Sequence, residues 1–200
     1  MTDTTGIYGD LFMGKDLSQM TLEELWELFP VFLVPHDDRW KDCYNGIEKE
    51  LTGLLSHQPV TRISHIGSTA IQGIWAKNIV DVMVEIPQSA DMKDLAGILE
   101  QHGFTIMSSG ANRISLNKGY TENGFADKVY HIHLRHAGDN DELYFRDYLN
   151  DHPAVAKEYE ALKLRLWKQY EHNRDAYTDA KTAFISEWTA KARKEYGDRY

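Results

Sequence analysis

SHIGSTAIQGIWAKNIVDVMVEI, residues 64–86, decides how this chain is read. Two apolar, β-branched segments, TRISHI (61–66) and NIVDVMVEI (78–86), read as strands on either side of a Gly67-Ser68-Thr69 turn. A strand that ends in Gly-Ser and turns into helix leaves backbone N–H groups pointing outward. With a hydroxyl beside them, those groups hold a phosphate oxygen. A plain Ser or Thr N-cap has the same local sequence, so the turn takes its meaning from the strand that follows. Along that strand Val80, Val82 and Val84 share one face and Asp81, Met83 and Glu85 the other. An acid alternating with valines on an inner strand costs stability unless it meets a cation or a hydrogen-bond donor, which marks Asp81 as a site residue.

Distance limits what Asp81 does with Glu85. At roughly 3.3 Å per residue the two start about 13 Å apart, whereas one Mg²⁺ holds its ligands at about 2.1 Å. Met83 fills the position that would bring a second acid close, and a thioether is a poor partner for a hard cation. Further ligands for a metal at Asp81 must therefore come from another strand. VYHIHLRH (129–136) supplies them: His131, His133 and Arg135 share one face, and Tyr130, Ile132, Leu134 and His136 the other. Asp81 with His131 and His133 makes a two-histidine, one-carboxylate set, better suited to Mn²⁺, Fe²⁺ or Zn²⁺ than to Mg²⁺. The alternatives are His131 as general base with His133 on phosphate, or hydrogen-bonded histidines on a half-exposed strand. Among the cations, Lys77 stands just before the acid strand, within reach of bound phosphate. Arg113 opens the strand RISLN (113–117) and suits an anion clamp. Tyr177 and Lys181, at i and i+4, share a helix face, and Arg146 with Asp147 reads as a helix ion pair.

Around this centre, Thr21 and Glu24 form a capping box before LEELWELF (22–29), which Pro30 stops. VFLV (31–34) reads as a strand ended by Pro35. Trp40, Cys43, Tyr44, Ile47, Leu51, Leu54 and Leu55 recur at helical spacing, behind Asp37 or Asp38 as cap. DMKDLAGILEQHG (91–103) is a helix stopped at Gly103, and FTIM (104–107) a further strand. From Asp139 the pattern is helical: DELYFRDYLNDHP (141–153), a helix opened by Pro153, and a last one over DAKTAFISEWTAKA (179–192). Strands interleaved with helices, then a helical tail, predict an α/β (α+β) fold with a mixed sheet. Residues 1–20 read as a loose arm and 21–200 as one domain, its helical region at 139–200.

A chain of 200 residues buries roughly 70% of its extended surface and folds without disulfides. Its single cysteine, Cys43, lies on the apolar helix face and reads as a buried, inert thiol. The formal net charge of −9 opposes general nucleic-acid binding, which needs a dense basic surface. No segment has the length and apolarity of a membrane span, and the first residues lack a signal peptide's basic start, so a cytoplasmic protein is expected.

HIGSTAIQGIWAKNIVDVMVEI (65–86) resembles the GrpB family, a group placed within the nucleotidyltransferase superfamily. The similarity continues in VFLVPHDDRW (31–40), YHIHLRHAG (130–138), FRDYLNDHP (145–153), EYEALKLRL (158–166) and YTDAKTAFI (177–185), in that order. The resemblance implies the nucleotidyltransferase fold, a mixed sheet flanked by helices with a site beside Gly67-Ser68. In active members of the superfamily the Gly-Ser turn holds a triphosphate. An acid-x-acid pair and a third acid on a neighbouring strand bind two Mg²⁺ ions. Asp81 matches the first acid, Met83 stands at the second, and the third falls at His131 or His133. That departure is typical of GrpB-like sequences, and fold membership does not transfer function.

Two functions follow as expectations. In the first, a nucleotidyl group passes from an NTP to an acceptor at a modified site with one divalent metal (Mg, Mn or Zn). Gly67, Ser68, Thr69, Lys77, Arg113 and Lys181 would hold the nucleotide and its phosphates. Asp81, His131 and His133 would bind metal, with Asp81, Glu85 and His131 as the catalytic set. In the second, the same turn and cations serve a non-catalytic module that binds a nucleotide or another phosphorylated small molecule.

Overall fold

The chain's computed structural model describes residues 15–200. One five-stranded mixed sheet organises it, in the order β1-β2-β5-β4-β3. β1 (Arg62–Ile66) runs antiparallel to β2 (Val80–Ile86), and β5 (Gly124–His136) lies parallel to β2 on its other side. β4 (Arg113–Thr121) and the edge strand β3 (Thr105–Ser109) continue antiparallel. The parallel pairing matters most, because its register sets Asp81 beside His131 and Met83 beside His133.

Each sheet face has its own cover. Val80, Val82 and Val84 join Leu116, Ile132 and Leu134 in a core closed by α2 (Arg39–Leu54) and α3 (Met92–Glu100). The half-exposed Cys43 packs at its margin. Both sides of β2 are buried, as a central strand between two helical layers requires. Above Met83 lies Leu143 of α4 (Asp141–Asp151), in a small cluster with Ile66. α4 also packs with α5 (Pro153–Tyr170) and α7 (Thr182–Tyr196) around Ile71, Ile74, Tyr144 and Tyr159. The helical tail thus packs against the sheet and its Gly-Ser turn region. None of the described helices is long and apolar enough to cross a membrane.

The local signals explain most boundaries. Thr21 and Glu24 form the full capping box at α1 (Leu22–Leu28). At α2 it is Asp37 whose carboxylate accepts from the Arg39 N–H (2.9 Å), while Asp38 makes no side-chain cap.

Four expectations are corrected. VFLV is no strand: only Val34 bridges, to Ala76, and Val31 instead donates its N–H to Glu171 O across to the tail. Prolines at both ends leave too short a run to join the sheet. The hairpin of β4 and β5 is longer than RISLN and VYHIHLRH, extending to an Asn123-Gly124 turn tied by the Thr121 hydroxyl. Its outer part is polar and hides the strand period, although Asn-Gly is itself a hairpin signal. The last helix starts at Thr182, behind a separate α6 (Arg174–Asp179) capped by Asn173, so Tyr177 lies in α6 while Lys181 lies in the turn that caps α7. Of the expected loose arm, residues 1–14 lie outside the described residues. Residues 15–20 are held by an Asp16-capped 3-10 turn, a Lys15–Glu24 ion pair and the buried Met20.

Candidate functional site

The β2–β5 register brings Asp81, His131 and His133 together. Asp81 Oδ1 lies 3.1 Å from His131 Nδ1 and 3.4 Å from His133 Nε2. One donor atom from each of the three falls within 4.8 Å of the others, close enough for one ion to be held by all three. Burial works to raise the Asp81 pKa, but the hydrogen bonds and charge of both imidazoles outweigh it and hold the carboxyl well below its usual range. Burial lowers the His131 pKa against the opposing pull of Asp81, which favours the neutral imidazole.

A pair of Mg²⁺ ions on carboxylates does not fit these residues. Met83 is fully buried against Ile66 and Leu143, where a second acid would stand. A single borderline ion such as Mn²⁺, Fe²⁺ or Zn²⁺ does fit the two-nitrogen, one-carboxylate set.

His131 is braced from behind. Its Nε2 lies 2.8 Å from the Tyr120 hydroxyl, which accepts in turn from Arg174 Nη2 at 2.7 Å. Sequence reasoning missed both residues. Tyr120 reaches the imidazole because β4 is irregular between Lys118 and Tyr120. Gly119 takes φ +99° there, and a Cβ at that position would stand 2.3 Å from Lys128 O. A glycine inside a strand pattern is the available clue to such a bulge.

The Gly-Ser turn lies directly against this cluster. Gly67 has φ +71° and ψ −172°, and a Cβ on it would stand 2.3 Å from Asp81 Oδ2. Ser68 opens the short 3-10 turn Ser68–Ala70. Gly67, Ser68, Asp81 and His131 line a cavity of about 1250 Å³ together with Lys77, Lys163, Arg174 and Lys181. Trp26, Phe29, Tyr120 and Tyr177 form aromatic parts of its wall.

The lysines are unusual. Burial lowers Lys77 to about 7, with repulsion from Arg174 and Lys181 adding to it. Lys163, also buried, falls to about 7 and Lys181 to about 8, each chiefly by desolvation. Lys163 donates to Trp75 O and lies 4.8 Å from the Tyr159 ring, while Lys181 sits 4.4 Å from Tyr177. Lys163 escaped sequence reasoning because it falls within EYEALKLRL, where a lysine reads as solvent-facing.

Of the residues singled out from sequence, Gly67, Ser68, Lys77, Asp81, His131 and Lys181 meet in this cavity, with His133 beside Asp81. Three do not. Thr69 is buried, its hydroxyl donating to Ile79 O and bonded to His65 Nε2 at 2.9 Å, so it braces the turn from inside. Glu85, at the far end of β2, is buried in an ion pair with Arg62. Arg113 pairs with Asp139 and lines a neighbouring cleft of about 480 Å³, on which Gly67 and Ser68 also border. Arg146 and Asp147 do pair, at 2.6 Å, and Arg146 also donates to His65 O.

Residues 30–191 match the GrpB protein family. The glutamate-rich protein GrpB of Alkalihalophilus pseudofirmus is 34% identical over 166 residues, covering 78% of this chain and 92% of its own length. Protein YqkA of Bacillus subtilis is 29% identical over 88% of this chain, which spans only 52% of YqkA. The crystal structure of GrpB from Enterococcus faecalis superposes with a TM-score of 0.71 at 26% identity, over 82% of this chain and 99% of that one. Cid1 poly(U) polymerase bound to MgATP shares the fold at TM-score 0.50 and 13% identity, over 74% of this chain and 47% of Cid1. With the family match covering residues 30–191 on a nucleotidyltransferase-like mixed sheet, this chain belongs to the GrpB family.

Proposed function

We propose that this chain is a nucleotidyltransferase that uses one divalent transition metal in place of a magnesium pair. The observation that carries the proposal is the convergence of Asp81, His131 and His133 beside the Gly67-Ser68 turn, at one cavity with four cationic side chains. The turn offers N–H groups and a hydroxyl to phosphate oxygens. Lys77, Lys163 and Lys181 balance the remaining phosphate charge, and Tyr120 with Arg174 keeps His131 aimed at the cluster. An ion held by the three ligands would stabilise charge on the phosphoryl oxygens. The reaction joins an acceptor to the α-phosphorus and releases pyrophosphate. An aromatic wall suits the nucleobase, and the polymerase that shares the fold is itself described with MgATP bound.

The test is incubation with each α-labelled NTP and Mn²⁺ or Mg²⁺, with and without cell extract as acceptor. The expected result is label transfer that favours Mn²⁺ and disappears in Asp81→Asn. Nucleotide binding without transfer under every condition would overturn the enzymatic reading. It would support a binding module instead, the alternative favoured by the buried Met83 at the second acid position.

A further inference from the structure

We infer that the lysine cluster of the main cavity is a polyphosphate-binding cage that works without metal, doing electrostatically what a second ion would do in a two-metal site. The inference rests on the proposed triphosphate site and names the residues that carry its charge. Lys77 precedes β2, Lys163 comes from α5, Arg174 from α6 and Lys181 from the start of α7, and all line the cavity that holds Ser68 and Asp81.

Their partners are what make them a site. Lys77 and Lys181 both approach the Tyr177 ring, at 5.9 and 4.4 Å, and Lys163 approaches Tyr159 at 4.8 Å. Among the described residues the lysines in ion pairs are Lys15, Lys118, Lys157 and Lys191, none of them in this cluster. Glu160, the acid that acts most on Lys163, is paired to Lys157 at 3.0 Å. Asp16, Asp81, Glu122 and Asp175 also line the cavity, but none of them pairs with these lysines, and a polyanion is the ligand that relieves the repulsion among the ammonium groups. Hydrogen bonding to the Trp75 carbonyl occupies one proton of the Lys163 ammonium and leaves the others for oxygen acceptors. The second acid position is meanwhile sealed by Met83. With several cations spread over one cavity, the matched ligand is a chain of phosphates rather than a single one.

The sign of one substitution separates this cage from a metal-bridged site. In EDTA, removing the Asp81 charge should tighten polyphosphate binding, because the carboxylate then only repels it. In a metal-bridged site the same change abolishes binding.

The experiment is calorimetric titration of the metal-stripped protein with inorganic tripolyphosphate in EDTA, with orthophosphate as control. Tripolyphosphate should bind, orthophosphate at least about tenfold more weakly, and Lys181→Met and Lys163→Met should each weaken tripolyphosphate about thirtyfold. Asp81→Asn should bind as tightly or tighter. Lys181→Met, at a half-buried position, keeps the test decisive if the buried Lys163 variant fails to fold. Binding seen only after Mn²⁺ is added, equal affinity for orthophosphate, or loss of binding in Asp81→Asn would each overturn the cage. Absence of nucleotidyl transfer with this binding intact would overturn the enzymatic reading alone.

Discussion

Gly67→Ala is the sharpest probe of the site's construction. The glycine sits at φ +71°, ψ −172°, a region that costs a residue with a side chain about 1–3 kcal/mol. Its new methyl would also stand 2.3 Å from Asp81 Oδ2 and 2.9 Å from Asp81 Cβ, atoms that cannot yield without moving the carboxylate. Overpacking of this kind adds about 1–3 kcal/mol. A middle value of about 4 kcal/mol, at roughly 2–4 °C per kcal/mol for a chain of this size, lowers Tm by about 8–16 °C. Gly73→Ala is the control. Gly73 also has positive φ (+70°), but a Cβ there meets nothing within 4 Å, so only backbone strain remains. Thermal melts of both variants isolate the steric part, and Mn²⁺ or Zn²⁺ titrations follow the displaced carboxylate, with metal affinity falling at least about tenfold. Equal melting temperatures for the two variants, with metal affinity unchanged in Gly67→Ala, would refute the close packing of the turn on Asp81.

Three further outcomes follow from the same geometry. Tyr120→Phe removes the hydroxyl behind His131 Nε2 and should weaken Mn²⁺ or Zn²⁺ binding about tenfold to a hundredfold by titration, with the melt little changed; unaltered affinity would show that the brace does nothing for the ligand. Glu85→Gln breaks the buried ion pair with Arg62, whose side chain is 32% exposed, and should cost about 1–3 kcal/mol in urea unfolding while metal binding stays intact; lost metal binding at unchanged stability would return Glu85 to the site. The ligand-free protein should become more stable as pH rises from about 7 towards 10. Lys77 and Lys163 titrate near 7 when folded against 10.5 as the ordinary value, so across that window the unfolded chain holds more protons and loses them as pH rises. Urea midpoints at several pH values check the slope, and a flat or falling curve would mean that these lysines are solvated.

The centre of the site was legible because strand periodicity is simple. Alternation put Asp81 opposite the valines and His131 with His133 on one face, and a central strand leaves those residues no other arrangement. Glu85 was misleading for the same reason. It shares the face, but distance along the strand carries it to Arg62, and pairing across strands is invisible to a one-strand pattern. Thr69 was misjudged because a 3-10 turn rotates successive residues, aiming one outward and the next at Ile79 O. Tyr120, Arg174 and Lys163 were not legible at all. Each reaches the cavity through a bulge or a helix–sheet docking angle, and neither leaves a periodic trace in sequence.

The two halves of the chain contribute different chemistry, and neither half makes the site. The sheet supplies the candidate metal ligands Asp81, His131 and His133, fixed by register, while the helical tail supplies Lys163, Arg174 and Lys181. α4 links them, because its Leu143 closes over Met83 while its Arg146 donates to His65 O in β1. That closure explains why the second acid is absent. A carboxylate at position 83 would be buried under Leu143 beside Ile66, in an apolar cluster, and burying it unpaired costs several kcal/mol. With that position given over to packing, the positive charge beside Asp81 comes from Lys77 and from the tail's Lys163, Arg174 and Lys181. The methionine and the lysines are therefore two sides of one arrangement. A helix laid across the sheet fills position 83 with packing and holds in place the tail that carries the cavity's lysines.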